Sequence, residues 1–276
     1  MVETLGLYKR LGQTLALRGN IRVLTVEAMV TAMFYGMLFV IWQPFVLDLG
    51  ASMTVVGGLS AALGLLGSCS SPIWGRLSDR VGRKPLLILS NILKANAFVF
   101  CIIANTWFLL IPYVILMELS ASYRQYNPAR VSLVAESVRR EERGVGYSIL
   151  MFSSQATTAV VAPLGGFLAM VYGFVPIFYA CMMADIVCAL LVIVFVRETW
   201  EERLRVGVRS GKGGWWKALR EMFWPESHLK GFYVAMVADG FAWGLGYSIL
   251  YGMLVRSFGF STYELGLLSA TVSVAW

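Results

Sequence analysis

The chain has 276 residues, 58% of them hydrophobic and only 14% charged, where soluble domains run at roughly 45–50% and roughly 25%. With a mean hydropathy of +0.69, this excludes a water-soluble globule, and 9 Trp, 12 Tyr and 16 Phe exclude a disordered chain, because so apolar a polymer buries its surface. The net charge of +7 would suggest a nucleic-acid partner in a soluble protein, so its meaning rests on where the basic residues fall.

Residues 1–22 carry Lys9, Arg10, Arg18 and Arg22 without the apolar core or cleavage site of a signal peptide, so the first apolar run is expected to remain as an anchor. Continuous apolar runs then predict crossings over 23–47, 53–75, 85–105, 107–128, 145–171, 174–196 and 231–256, with a further apolar start from about 264. Each has the length of a helical span, and none shows the alternation of a barrel strand. The uncharged stretch 144–184 is too long for one span and is expected to turn at Tyr172-Gly173. The expected fold is all-α: a polytopic membrane protein with an N-terminal segment (1–22), a six-helix domain (23–196), a central loop (197–229) and the start of a second helical domain (230–276).

Of the 23 Lys and Arg, four precede the first crossing, four lie at 76–84, five at 124–143 and eight at 197–230, while the intervening loops hold none. Basic residues mark cytoplasmic loops. The charge is therefore a topology signal that places the N-terminus in the cytoplasm, and nucleic acid drops out. In the central loop, Trp215, Trp216, Leu219, Met222 and Phe223 recur at helical spacing opposite Lys217, Arg220 and Glu221, as in a helix lying in the membrane interface. The four cysteines sit in apolar runs without metal-ligand spacing and read as packing thiols.

At an offset of 209 the chain matches itself: LGASMTVVGGLSA (49–61) lies over FGFSTYELGLLSA (258–270). Crossings seven and eight are thus expected to repeat one and two in a parallel sense, a six-plus-six transporter plan, with Trp276 falling partway through the repeat as in a fragment.

Between crossings two and three stands GRLSDRVGRKPLL, Gly75–Leu87. A tight turn there uses Gly75 and Gly82 for positive φ or close approach, and Asp79 is its single acid among Arg76, Arg80, Arg83 and Lys84. The string resembles the helix 2–3 signature of the major facilitator superfamily, and AESVRREERGVGYS (135–148) is similar to that family's 4–5 junction through Glu136 and Arg143-Gly144. The resemblance implies a secondary transporter working by alternating access, with no cofactor, on a small-molecule substrate. Protons are a candidate coupling ion, lipid is the solvent, and a second bundle is needed for a complete transporter. It also implies a cytoplasmic gate built on Asp79 and its basic neighbours, with Glu136 joining Arg76 or Arg83. Helix 5 departs from the family's drug-antiporter pattern, reading APLGG at 162–166, so Pro163, Gly165 and Gly166 are taken as a bend or close contact.

Ionisable groups inside the bilayer each need an account. Lys94 and Glu118 lie at nearly equal depth on either side of the turn at Asn105-Thr106, within about 1.5 Å at the helical rise, and are expected to pair. Asp239 and Asp185 are candidates for reversible protonation, with Asp239 and Glu118 ranked first because the resemblance puts helices 4 and 7 on the cavity. Glu27 lies near the inner end of the first crossing. Arg124, Gln155 and Trp42 complete the candidate pathway, beside Tyr35, Gln43, Trp243, Tyr247 and Tyr251. The small residues Gly57, Ala61, Gly64 and Ser68 give crossing two a face for close contact. A membrane-embedded enzyme or receptor, or an inactive transporter fragment, is the competing reading. Against an enzyme, the runs contain no nucleotide loop, paired metal ligands or Ser/His/Asp set. Reporter fusions test the topology: one placed after Asp79 should report the cytoplasm and one after Thr106 the opposite side.

Overall fold

The structure, a computed structural model, describes residues 19–120, 127–198, 229–247 and 249–275. Arg124, the interfacial helix of the central loop and the side chains of Trp243 and Tyr247 lie outside the described residues. Among the described residues every regular element is helical: α1 (Asn20–Asp48), α2 (Met53–Val81), α3 (Arg83–Ile103), a 3-10 turn (Trp107–Leu109) leading into α4 (Leu110–Leu119), α5 (Pro128–Ser137), a 3-10 turn (Arg140–Glu142), α6 (Arg143–Tyr172), α7 (Val175–Phe195), α8 (Lys230–Tyr247), α9 (Leu250–Phe258) and α10 (Thr262–Ala275). α1, α2, α3, α6 with its leading turn, and α7 are each long and apolar enough to cross a membrane. Large apolar side chains such as Leu65, Phe152, Val160 and Val194 lie on the outside, the reverse of a soluble protein. The chain is a helical, multi-pass membrane protein.

α2 has 29 residues, about 43 Å at the helical rise against a hydrocarbon core of about 30 Å. It therefore runs on through Arg76–Val81, and the turn to α3 is a single residue, Gly82, whose φ of 108° suits glycine. Gly75 is not a turn residue, as expected from sequence, but sits inside α2 facing α5. A Cβ at Gly75 would stand 3.9 Å from Pro128 Cβ.

Crossing four was expected over 107–128, of which the structure describes 107–120 and 127–128. α4 stops at Leu119 and a new helix begins at Pro128. A helix end inside hydrocarbon leaves carbonyls that no water can satisfy. Here neighbouring helices supply the donors: the Ser70 hydroxyl to the Glu118 carbonyl at 2.8 Å, the Trp74 indole N–H to that of Leu119 at 2.6 Å, and the Ser90 hydroxyl to that of Ser120 at 2.9 Å. Across the gap Asn127 caps α5 by accepting from the Ala129 N–H at 2.9 Å, with Pro128 at the start of the helix. Crossing seven, expected over 231–256, is likewise divided between α8 and α9.

The buried side chains form two apolar clusters. One joins Ile21 and Leu24 of α1, Trp74, Leu86, Leu133, Leu150 and Val192 at the end of the bundle that carries the basic residues, here termed the basic end. The other joins Trp42, Phe45, Val56, Phe98, Tyr113 and Phe178 toward the opposite end. Between them, on the same helices, lie the buried polar residues Glu27, Ser70, Ser90, Lys94, Glu118 and Asp185. This polar layer is where the candidate site is built.

The two ends of the internal repeat share one backbone solution. Gly50 and Gly259 take φ of 79° and 70°, and Ser52 and Ser261 each sit just before the next helix with a hydroxyl on its first turn, accepting from the Val55 and Glu264 N–H groups. At the same offset the Gln43 side chain accepts from the Gly252 N–H at 2.6 Å, so equivalent positions touch. α10 then lies along α6, where glycines permit backbone contact. A Cβ on Gly266 would stand 2.6 Å from the Ala162 carbonyl oxygen, one on Gly166 would overlap that of Thr262, and one on Gly165 would stand 2.6 Å from Met37 Cα. The APLGG segment is thus a seam of close approach to α1 and α10. Replacing Gly266 with leucine should cost about 1–3 kcal/mol through overpacking. Gly64→Leu, with no atom within 4 Å of its Cβ position, should be near neutral in the same detergent melting measurement.

Candidate functional site

Arg83, the first residue of α3, is almost wholly buried at the basic end. Its Nη1 donates to the Ser78 hydroxyl at 2.6 Å, and its Nη2 meets Asp79 at 2.8 Å and Glu136 at 3.0 Å. Asp79 belongs to the last turns of α2 and Glu136 to the last turn of α5, so one guanidinium ties three helices. Charge-assisted bonds of this kind are about twice as strong as neutral ones. Of the two bases considered for Glu136, the structure brings Arg83 to it. Lys84 Nζ donates to the Ile193 carbonyl at 2.7 Å and Arg143 Nε to that of Ala135 at 3.0 Å. Arg80 is exposed and Arg76 half-buried.

Sequence reasoning did not include Glu198 in this cluster. Its carboxylate accepts the Arg83 N–H at 3.1 Å and the Lys84 N–H at 2.9 Å, filling donors that the start of α3 leaves open, where a helix also favours negative charge. Gly82 makes room for it: a Cβ there would stand 2.7 Å from Glu198 Oε2. The adjoining Arg197 backbone is held by the Asn20 carboxamide, which donates to its carbonyl at 2.9 Å and accepts from its N–H at 2.8 Å. The signal available in the sequence was an acid placed directly after an apolar run that ends at the basic side.

In the polar layer, Lys94 of α3 forms an ion pair with Asp185 of α7 at 2.9 Å, both nearly fully covered. The Tyr35 hydroxyl of α1 donates to the other Asp185 oxygen at 2.9 Å, and Lys94 Nζ lies 5.4 Å from the Tyr35 ring centroid, close enough for a cation–π contact. This corrects the expected Lys94–Glu118 pair. Asp185 matches Lys94 in depth as well as Glu118 does, the two lying ten residues from Val175 and nine from Ile103. α3 packs along both α4 and α7, so side-chain direction decides between the acids: Asp185 is turned onto Lys94, while the Glu118 carboxylate lies against α2, where it would overlap a Cβ on Gly67.

A second buried pair joins Glu27 of α1 to Arg130 of α5, and the Cys188 Sγ approaches the Thr31 hydroxyl at 3.6 Å and the Glu27 carbonyl at 3.8 Å. Sequence reasoning placed Arg130 in a solvated loop because it did not anticipate α5. Trp42 is buried, its ring 4.8 Å from that of Tyr113 and its indole N–H without an acceptor. Gln155 is half-buried on α6, and Asp239 is exposed on α8. The described residues contain no cluster of three or more acidic, His or Cys side chains able to hold a metal.

Comparison with known proteins bears on the family and the fold. A family profile described as Major Facilitator Superfamily matches residues 24–276. Among curated relatives, the multidrug resistance protein MdtG of Dickeya zeae (strain Ech586) is 28% identical over 149 residues, 54% of this chain and 36% of its own length. That of Citrobacter koseri (strain ATCC BAA-895 / CDC 4225-83 / SGSC4696) is 32% identical over 139 residues, 50% of this chain and 33% of its own. The matched region thus spans about a third of those relatives. Among solved structures, the human organic anion transporter MFSD10 (TETRAN) superposes with a TM-score of 0.59 at 15% identity, over 92% of this chain and 69% of that one. A D-xylose-proton symporter superposes with a TM-score of 0.60 at 17% identity, over 92% and 66%. At such identities the superpositions establish the fold.

The Lys94–Asp185 pair makes a quantitative test. Lys94→Met or Asp185→Leu alone strands the partner's charge and should cost about 3–5 kcal/mol, whereas the double substitution should be nearly neutral. Unfolding of the three purified variants in detergent would measure the coupling.

Proposed function

Because the chain belongs to the major facilitator superfamily, we propose that it supplies the first bundle, and the beginning of the second, of a secondary active transporter that moves a small solute across the cell membrane by alternating access. The observation that carries this reading is the Arg83 clamp, which joins α2, α3 and α5 through Asp79 and Glu136 at the end of the bundle where the basic residues gather. By the charge rule that end faces the cytoplasm, and the N-terminus with it. Two bundles rocking about a midplane site need a contact at this end that can be made in one state and released in the other. Asp79 is the exposed member of the clamp, at 38%, and is the group that meets the second bundle.

The solute sits between the bundles. The groups for energy coupling are Asp185, against Lys94 and Tyr35 in the polar layer, and Asp239, exposed on α8. Protonation of a membrane carboxylate exchanges an ion pair for a neutral contact, and this couples solute movement to the proton gradient. The relatives described as multidrug resistance proteins support a drug-like solute. Lipid surrounds the apolar exterior, and no enzymatic step is involved.

Transport into membrane vesicles tests the gate. Asp79→Asn and Glu136→Gln should each lower turnover roughly tenfold, about 1.4 kcal/mol in barrier height, without lowering the amount of protein in the membrane. Unchanged turnover in both variants would remove the gating role. Collapse of the proton gradient should abolish accumulation.

A further inference from the structure

Toward the basic end, α1, α5 and α6 enclose a cavity of about 270 Å³. Its wall is apolar, formed by Ala28, Val131, Val134, Leu150 and Met151. Tyr147, also on the wall, spends its hydroxyl on the Val131 carbonyl at 2.7 Å. The charged side chain among the lining residues is Arg130.

The pairing of Arg130 with Glu27 sets the sign of the field in this cavity. Both Glu27 oxygens accept from the same Arg130 nitrogen, Nη2. The carboxylate is covered to 2% exposure behind the guanidinium, which keeps 12%. A ligand in the cavity therefore meets the cation of this pair and not the anion. Arg130 Nε is buried with no acceptor, although a guanidinium offers five donors in a planar fork suited to carboxylates and similar oxyanions. A donor left unmet in a low-dielectric interior costs free energy that an arriving acceptor recovers. A cationic guest would face the guanidinium without reaching Glu27. The volume lies just below the usual range for drug-sized ligands, which starts at about 300 Å³, and so suits a small body of one or two rings.

We propose that this cavity binds a small amphiphilic organic anion, its carboxylate or sulfonate head on Arg130 and its apolar body against Val131, Val134, Leu150 and Met151. As a binding site it stands on the geometry alone; as a place from which the anion is transported it rests on the transporter reading.

The test uses the purified full chain in lipid nanodiscs and three ligands sharing one body: radiolabelled 2-naphthoate, 2-naphthylmethylammonium and 2-naphthylmethanol. Naphthoate should bind saturably and more tightly than the other two. Met151→Trp fills the cavity without touching the ion pair and should weaken naphthoate binding roughly tenfold or more. Glu27→Gln/Arg130→Gln removes both charges together, so no lone charge is stranded, and should abolish the preference of anion over alcohol. Equal or tighter binding of the ammonium compound, or naphthoate binding unaffected by Met151→Trp, would overturn the proposal. Flux in proteoliposomes separates the two claims. With binding read on this chain and flux read on the complete two-bundle protein, saturable naphthoate binding with no flux of any solute supports the site and removes the transporter reading, whereas flux of other solutes without naphthoate binding removes the site and leaves that reading standing.

Discussion

A hydrocarbon solvent offers no hydrogen-bond partners, so every polar group that enters it must find one inside the protein. The meeting of Lys94 and Asp185 at 2.9 Å, completed by the Tyr35 hydroxyl, is this constraint at its most demanding, because two charges are held where neither would survive alone. The same requirement governs the end of α4, where Ser70, Trp74 and Ser90 donate to the carbonyls of Glu118, Leu119 and Ser120. These contacts draw α1, α3 and α7 together on one side and α2, α3 and α4 on the other. α3 belongs to both sets, which makes it the central strut of the first bundle.

The start of α3 concentrates a second set of constraints. Gly82 turns the chain in one residue, and its missing Cβ admits Glu198 onto the first N–H groups of the helix. Arg83, next in sequence, is drawn inward to Ser78, Asp79 and Glu136. Backbone and side chain of one residue are thus held by different elements, α7's exit on one side and α2 with α5 on the other. Asp79 is the partly exposed member of this cluster.

Close helix contact supplies what charge does not. Gly165, Gly166 and Gly266 let α6 approach α1 and α10 to backbone distance. In lipid, where apolar side chains gain little by leaving the solvent, such contact is a main source of association. The repeat at an offset of 209 is visible in the same region as matched turns at Gly50 and Gly259 and as the Gln43 contact with Gly252. Duplicated elements meeting at equivalent positions are what a two-fold arrangement of bundles produces.

Depth in the membrane is a one-dimensional quantity, and position along the chain determines it. Composition, the alternation of basic and uncharged loops, the repeat and the Gly75–Leu87 turn all lie in that dimension, so the helical membrane class, the approximate spans and the membership of Asp79, Arg83 and Glu136 in one basic neighbourhood were readable before any coordinates. The partner of Lys94 was not readable, because Glu118 and Asp185 share its depth, both of their helices stand beside α3, and they differ in which carboxylate is turned toward it. Arg130 was hidden for a related reason: charge alone assigns 124–143 to a loop, and the contact that turns Arg130 of α5 onto Glu27 of α1 joins residues far apart in the chain. The amino-acid sequence by itself determined that the chain lives in a membrane and roughly how far along each helix Lys94, Glu118 and Asp185 lie. Tertiary packing alone decided which charges face one another, because the rotation of a helix about its axis, and its choice of neighbour, follow from contacts between residues far apart in the chain.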